Sequence, residues 1–185
     1  MFATSQTYSG DLGGVSGADA KCQEHACSAG LIGNFKAWIS DASSNPANDF
    51  NRQGGCCLDQ ASFQLTGSPA TRIAINFPAL IAGNPLNPIN KDENGVAITS
   101  GILNVWTNTN GDGTRQSSIT DCQGWTNSSS AFAGVSGNAS RNDTTWTFFS
   151  NKSCAGSARL YCFQQDDTGT YNVVIEDRCL AYMFN

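Results

Sequence analysis

The chain has 185 residues, with eight cysteines, one histidine and only 14% charged residues. That length suits one domain with a sizeable core, and 39% apolar content with ten Phe argues against disorder. A formal charge of −5 disfavours nucleic acid, and no apolar run approaches the ~18 to 20 residues of a membrane helix. A single His excludes His-rich zinc sites. Eight cysteines without paired C-x-x-C knuckles point to disulfides and an exported, extracellular or cell-surface life. No basic segment followed by an apolar one marks a signal peptide, so the chain reads as a mature or excised piece of a longer protein.

Phe2–Tyr8 alternates and is rich in β-formers, which predicts a first strand. After Gly10, Gly13 and Gly14, Ser16 or Asp19 is expected to cap a helix running to about Ala29 and stopped by Gly30. Ala18, Cys22, Ala26 and Ala29 then share one face, with Cys27 off that stripe. Phe35–Ser40 reads as a second strand, and Trp38 as core. From there to about Ile98, Gly and Pro break the pattern repeatedly, leaving short apolar runs such as Ile73–Ile75. Strands are expected again at Ile102–Thr107, Thr145–Phe149 and Arg159–Gln164. The stretch Ser117–Asn151 is dense in Ser, Thr, Asn and Gly. It holds Asn-x-Ser/Thr sequons at Asn127, Asn138, Asn142 and Asn151, which matter only in a glycosylating source. Tyr171–Ile175 suggests a last strand before Cys179 and an apolar end at Tyr182–Phe184.

Several segments together carry a resemblance. They are Phe2-Ala-Thr-Ser, Tyr8-Ser-Gly-Asp-Leu-Gly-Gly, Gly17-Ala-Asp-Ala-Lys-Cys22 and Phe35-Lys-Ala-Trp-Ile-Ser-Asp41. Ser68-Pro-Ala-Thr-Arg72, Val105-Trp-Thr107, Asn110-Gly-Asp-Gly-Thr114, Cys122-Gln-Gly-Trp125 and Leu160-Tyr-Cys-Phe163 follow in the same order. The chain resembles, over Phe2 to Gln165, the leptospiral endostatin-like surface proteins. The resemblance implies an α+β, C-type lectin-like domain over residues 1–165, with one main helix, a mostly antiparallel sheet, long loops and disulfide staples. Residues 166–185 would be a C-terminal extension with an added strand, tied by Cys179. It also implies Cys22–Cys162 and Cys122–Cys154 bridges. Cys27, Cys56, Cys57 and Cys179 stay open, with a vicinal Cys56–Cys57 bond competing with bridges from each to the helix and tail.

Asn108, Asn110 and Asp112, followed by Gly113, have the spacing of the first half of a calcium loop. The twelfth position is Ile119 rather than Glu, and the preferred reading is a Gly-Asp-Gly turn. Sugar-binding C-type lectins use a Trp-Asn-Asp segment; the nearest segments here are Trp106-Thr-Asn108 and Trp125-Thr-Asn127, without the acidic ligands. Trp106, Asn108, Trp125 and Asn127 are the candidate ligand-binding residues, with Trp125 the best exposed aromatic and Trp146 undecided. His25, beside Glu24, reads as a surface residue. Asp92-Glu93 and Asp166-Asp167 read as solvated turns, so no catalytic set stands out. The expectation is a non-catalytic recognition or adhesion domain for an extracellular protein or glycan, as the resembling family's binding of host matrix and complement regulators implies. No cofactor is required, calcium being the one metal the spacing admits. The alternatives are a subunit or tip of a surface fibre, self-associating through the C-terminal tail, and a calcium-dependent lectin.

Overall fold

The computed structural model describes residues 1–50, 62–165 and Cys179. It is a mixed helix-and-sheet arrangement. The strands are β1 (Phe2–Ala3), β2 (Phe35–Ala37), β3 (Phe63–Gln64), β4 (Arg72–Ala74), β5 (Asn104–Trp106), β6 (Ala133–Asn138), β7 (Ser150–Ser153) and β8 (Tyr161–Gln164). One long helix, α1 (Gly14–Ser28), is joined by the short turns α2 (Pro46–Asp49), α3 (Phe77–Ile81) and α4 (Cys122–Trp125). The expected sheet divides into three small ones, ordered β1-β8-β2, β3-β4 and β5-β6-β7, and every ladder between these strands is antiparallel.

Gly13 and Gly14, both at positive φ, turn the chain into α1 without a side-chain cap. Neither Ser16 nor Asp19 is the cap. Asp19 instead reaches out from the helix and accepts the Ala37 N–H at 2.8 Å, while Gln23, one turn on, accepts the Phe35 N–H at 2.9 Å. These are the amides of β2 that point away from β8, so the helix satisfies a sheet edge that would otherwise stand open. At the other end, Gly30 lies at φ 67°, its N–H bonds to the Cys27 carbonyl and that of Leu31 to the Ala26 carbonyl. This glycine-terminated double bond stops the helix where the sequence places the stop.

Strand β8 is central. Phe2 and Ala37 both lie in register with Cys162, from opposite sides. Tyr161 and Phe163 point into one apolar cluster with Trp38, Phe50, Phe77 and Trp146. Leu160 and Cys162 point into a second, with Ala18, Cys22 and Ala26 of α1 and with Trp106 and Trp125. Small residues on α1 let it lie close to the sheet, and the Cys22–Cys162 disulfide passes between them. Cys122–Cys154 is the second bridge, again as the resemblance implies, and Cys27–Cys179 the third. Among the described residues no cysteine is free. Cys56, Cys57, Asp166-Asp167, the expected strand Tyr171–Ile175 and the apolar end lie outside the described residues.

The alternating stretch Thr145–Phe149 is not a strand. Asp143 accepts the Thr145 N–H at 2.9 Å and its carbonyl takes the Trp146 N–H, winding Thr144–Trp146 into a short 3-10 turn. Conversely, the polar stretch Ser117–Asn151 contains β6 and the start of β7, strands that the composition hid. Their small residues allow close approach: a Cβ on Gly134 would meet the rings of Trp106 and Trp125, and one on Gly137 would overlap the Trp146 backbone. No helix among the described residues is long and apolar enough to cross a membrane.

Two stability measurements check this account. Gly137→Ala drives a methyl into backbone and is expected to lower unfolding stability by about 1–3 kcal/mol in denaturant titration. Burial pushes the Asp19 carboxyl up to about 6, outweighing the pull of the Ala37 N–H and Lys36. An acid with a raised folded-state pKa stabilises most when protonated, so stability gains as pH falls through about 6. Asp19→Asn keeps the acceptor without the charge and is expected to add roughly 1–2 kcal/mol at neutral pH, the gain vanishing in acid.

Candidate functional site

The residues singled out in the sequence converge on the loops between β5 and β6. Trp106 and Trp125 pack together, ring centroids 5.7 Å apart, but both are fully buried. The reading of Trp125 as an exposed anchor is therefore corrected: its indole N–H donates to the Ser40 carbonyl at 2.9 Å and its ring closes the second core cluster. Trp106 similarly donates to the Tyr8 carbonyl at 2.8 Å. Trp146, undecided from sequence, is also buried, and so is Trp38, as expected. The hydrophilic neighbours of Trp125 misled because they occupy the outside of a turn whose inside is apolar.

Asn108 is fully buried at φ 45°. Its amide donates to the Ser40 and Ser117 carbonyls, at 3.3 and 2.9 Å, and its Oδ1 accepts the Ser117 N–H at 3.0 Å. It thus sews the base of a hairpin running from Asn108 to Ser117. Asn110 donates to Thr114 Oγ1 and the Arg115 carbonyl, at 3.1 and 3.3 Å. Asp112 accepts both the N–H and the hydroxyl of Thr114, at 2.9 and 2.6 Å. The oxygens of Asn108 and Asp112 thus accept hydrogen bonds within the turn, as its composition suggests. Among the described residues no group of three or more His, Cys, Asp or Glu converges.

Below this hairpin lies a layer of buried hydroxyls. Thr107 donates to the Thr147 carbonyl at 2.6 Å, Thr147 to the Thr109 carbonyl at 2.8 Å, and Trp38 Nε1 to Thr147 Oγ1 at 2.8 Å. Ser40 and Thr109 join through their hydroxyls. Each of these hydroxyls is matched, so the layer fixes one arrangement of the loops above it.

The most unusual backbone follows. Cys122, Gln123, Gly124 and Trp125 have φ of 50°, 56°, 68° and 63°, a left-handed turn of four residues, three of them not glycine. L-residues disfavour this conformation by roughly 1–2 kcal/mol each. Several constraints hold it: the Cys122–Cys154 bond, the buried Trp125 ring, and Asp121, whose Oδ1 takes the Gly124 N–H and whose carbonyl takes that of Trp125. Asp121 is anchored in turn by Arg115 at 2.6 Å. Gln123 projects outward, its Oε1 accepting from Asn127 at 2.8 Å. From Gln116 to Ser140 the only charged residue is Asp121, which is buried. The outer surface of this stretch therefore carries no charge of its own, being made of Ser118, Gln123, Thr126, Ser128, Ser129 and Ser130 with exposed Ile119 and Phe132, while Asp11 bridges to Thr126 and Arg115 bonds the Ser118 carbonyl at its edge.

A second cluster escaped the sequence reading. His25 is not a surface residue, nor is Glu93 in a solvated turn; each is 6% exposed, and His25 Nδ1 meets Glu93 Oε1 at 2.7 Å. His25 Nε2 lies 2.7 Å from the Tyr8 hydroxyl, and Glu93 also accepts the Ser5 N–H at 2.9 Å and the Ser5 hydroxyl. The pair joins positions 68 residues apart, so no local periodicity reveals it. Burial opposes ionisation of Glu93, but the hydrogen bonds from His25 and Ser5 prevail and hold its carboxyl at about 2.

The fold and these loops define a disulfide-stapled α+β domain that displays a polar, internally locked loop surface. By sequence the chain belongs to the family described as protein of unknown function DUF1554, whose model matches residues 5–142. No curated protein matches it.

The Glu93 bonds have a measurable consequence. A depressed carboxyl stabilises above its unfolded value near 4.5, and that contribution disappears as pH falls through about 2. Glu93→Gln is expected to lose about 1–2 kcal/mol at neutral pH and to flatten the acid limb of the stability curve, read by thermal unfolding across pH.

Proposed function

We propose that this chain is an extracellular recognition domain of C-type lectin-like architecture, similar to the leptospiral endostatin-like surface proteins, and that it binds a macromolecular partner without chemistry at the loop surface. The carrying observation is the uncharged face from Ser118 to Phe132, held from beneath by Trp125, Asn108, Asp121 and the Cys122–Cys154 bond. A surface ordered before contact loses little conformational entropy on binding. Its mixture of Ser, Thr, Asn and Gln with a few apolar side chains suits recognition by adaptable hydrogen bonds around small anchors. The Cys22–Cys162 and Cys122–Cys154 pairings support the lectin-like assignment. The disulfides fit an oxidising compartment.

The experiment is a binding panel of purified extracellular-matrix proteins and neutral glycans presented to the disulfide-intact chain. A specific ligand should be weakened at least about tenfold by Ser128→Lys or Ile119→Asp, since a charge forced into a neutral contact costs about 1.4 kcal/mol or more. Melting temperature should stay unchanged. A wholly negative panel, or a ligand whose binding ignores both substitutions, refutes the reading.

A further inference from the structure

The Tyr8, His25 and Glu93 cluster stands apart from the loop surface and is not needed for recognition. Its geometry is that of an activated nucleophile: a hydroxyl on a base, and the base oriented by a buried carboxylate. Glu93, ionised, can only accept, so Nδ1 of His25 carries a proton toward it at 2.7 Å. In the neutral ring Nε2 is then the acceptor, and it faces the Tyr8 hydroxyl at 2.7 Å. Three further features fit. Tyr8 is partly exposed whereas His25 and Glu93 are buried, so Tyr8 is the member of the series that reaches the surface. The Lys21 ammonium lies over the Tyr8 ring, 5.4 Å from its centre, and helps hold the ring in place. The Tyr8 ring also meets the His25 ring edge-on, which holds the two side chains in register.

We propose that Tyr8 is a nucleophilic tyrosine, acylated by activated esters, with His25 as the base that takes its proton. Tyr8 Oη bonds to the acyl carbon as its proton passes to His25 Nε2. The adduct collapses by breaking the bond to the ester's leaving oxygen, which departs with that proton. O-acyl-Tyr8 and an alcohol or phenol result, with no change of oxidation state. Glu93 is a positioning residue: it fixes the tautomer of His25 and balances the imidazolium that forms.

The surrounding charges set how the step runs. Glu24 and Lys21 face the cluster from α1, Glu93 and Asp92 from the segment Lys91–Ala97, and Arg159, bonded to the Thr4 and Ser5 carbonyls, from before β8. Burial, with Glu24 and Glu93, pushes the Tyr8 phenol up to about 12. Resting phenolate is therefore scarce, and the proton must leave during attack, which is the task of a base within hydrogen-bond reach.

The test uses the full, disulfide-intact chain and p-nitrophenyl acetate, following nitrophenol release and mapping the adduct by mass spectrometry. The expected result is one acetyl group on Tyr8, formed about a hundredfold faster than on N-acetyltyrosinamide. His25→Asn should bring the rate down to that of the small phenol. Tyr8→Phe should abolish the adduct in a chain that stays folded. Glu93→Gln should slow acylation and displace the midpoint of its pH profile, whereas a purely structural role would leave that midpoint in place. Acetylation at Lys21 or Ser5 in place of Tyr8, a Tyr8 rate equal to the small phenol's, or indifference to His25→Asn in a chain that stays folded overturns the proposal.

Discussion

The Cys22–Cys162 bond joins the main helix to a strand that is buried on both faces, and the rest of the architecture is arranged around that junction. Cross-linking positions 140 residues apart removes unfolded-state entropy worth about 5 kcal/mol in the chain-entropy view. A chain with so much irregular backbone needs that help, because ordering each loop residue is opposed by roughly 1–2 kcal/mol of conformational entropy. With β8 fixed, its alternating side chains divide the interior into two apolar clusters. The aromatic cluster carries β3, β4 and α3; the cysteine- and alanine-lined one carries α1 and the turn at Cys122.

The loops depend on a different kind of interaction. Apolar burial cannot choose among loop conformations of similar compactness, but buried hydroxyls and amides can, since each has few acceptable partners. Ser40 is the meeting point: its carbonyl receives Trp125 Nε1 and Asn108 Nδ2, while its hydroxyl joins that of Thr109. Two loop segments, the turn at Trp125 and the hairpin base at Asn108–Thr109, are therefore referenced to the residue that follows Trp38 and Ile39 out of the core. Rigidity at the surface is inherited from polar matching one layer down.

Much of the framework was legible in the sequence because it rests on local signals. The helix end at Gly30, the inward face of Ala18, Cys22 and Ala26, and the strands around Phe35, Trp106 and Phe163 follow from periodicity and glycine chemistry. What failed to show has a common physical origin. The burial of Trp125 is decided by Ser40 and Trp106, neither of them its neighbour in sequence. The pairing of His25 with Glu93 depends on how a long Gly- and Pro-rich segment returns to the helix. Thr145–Phe149 alternates like a strand, yet one side chain, Asp143, winds it the other way. β6 is built from residues too small and polar to announce burial, and the smallness of Gly134 and Gly137 is the reason it fits against tryptophan. The candidate loop surface was half legible: the segments were right, but which atoms face outward was not.

The left-handed turn at Cys122–Trp125 also restricts how this surface can change over generations. β-branched side chains are excluded where φ is near +60°, so at Gln123 and Gly124 drift is confined to residues such as Gly, Asn, Asp or Gln. The neighbouring Thr126–Ala131 carries no positive φ and accepts a far wider alphabet. Diversification of the face would therefore proceed around a nearly invariant pivot, with the pivot's shape kept and its surroundings free to be rewritten.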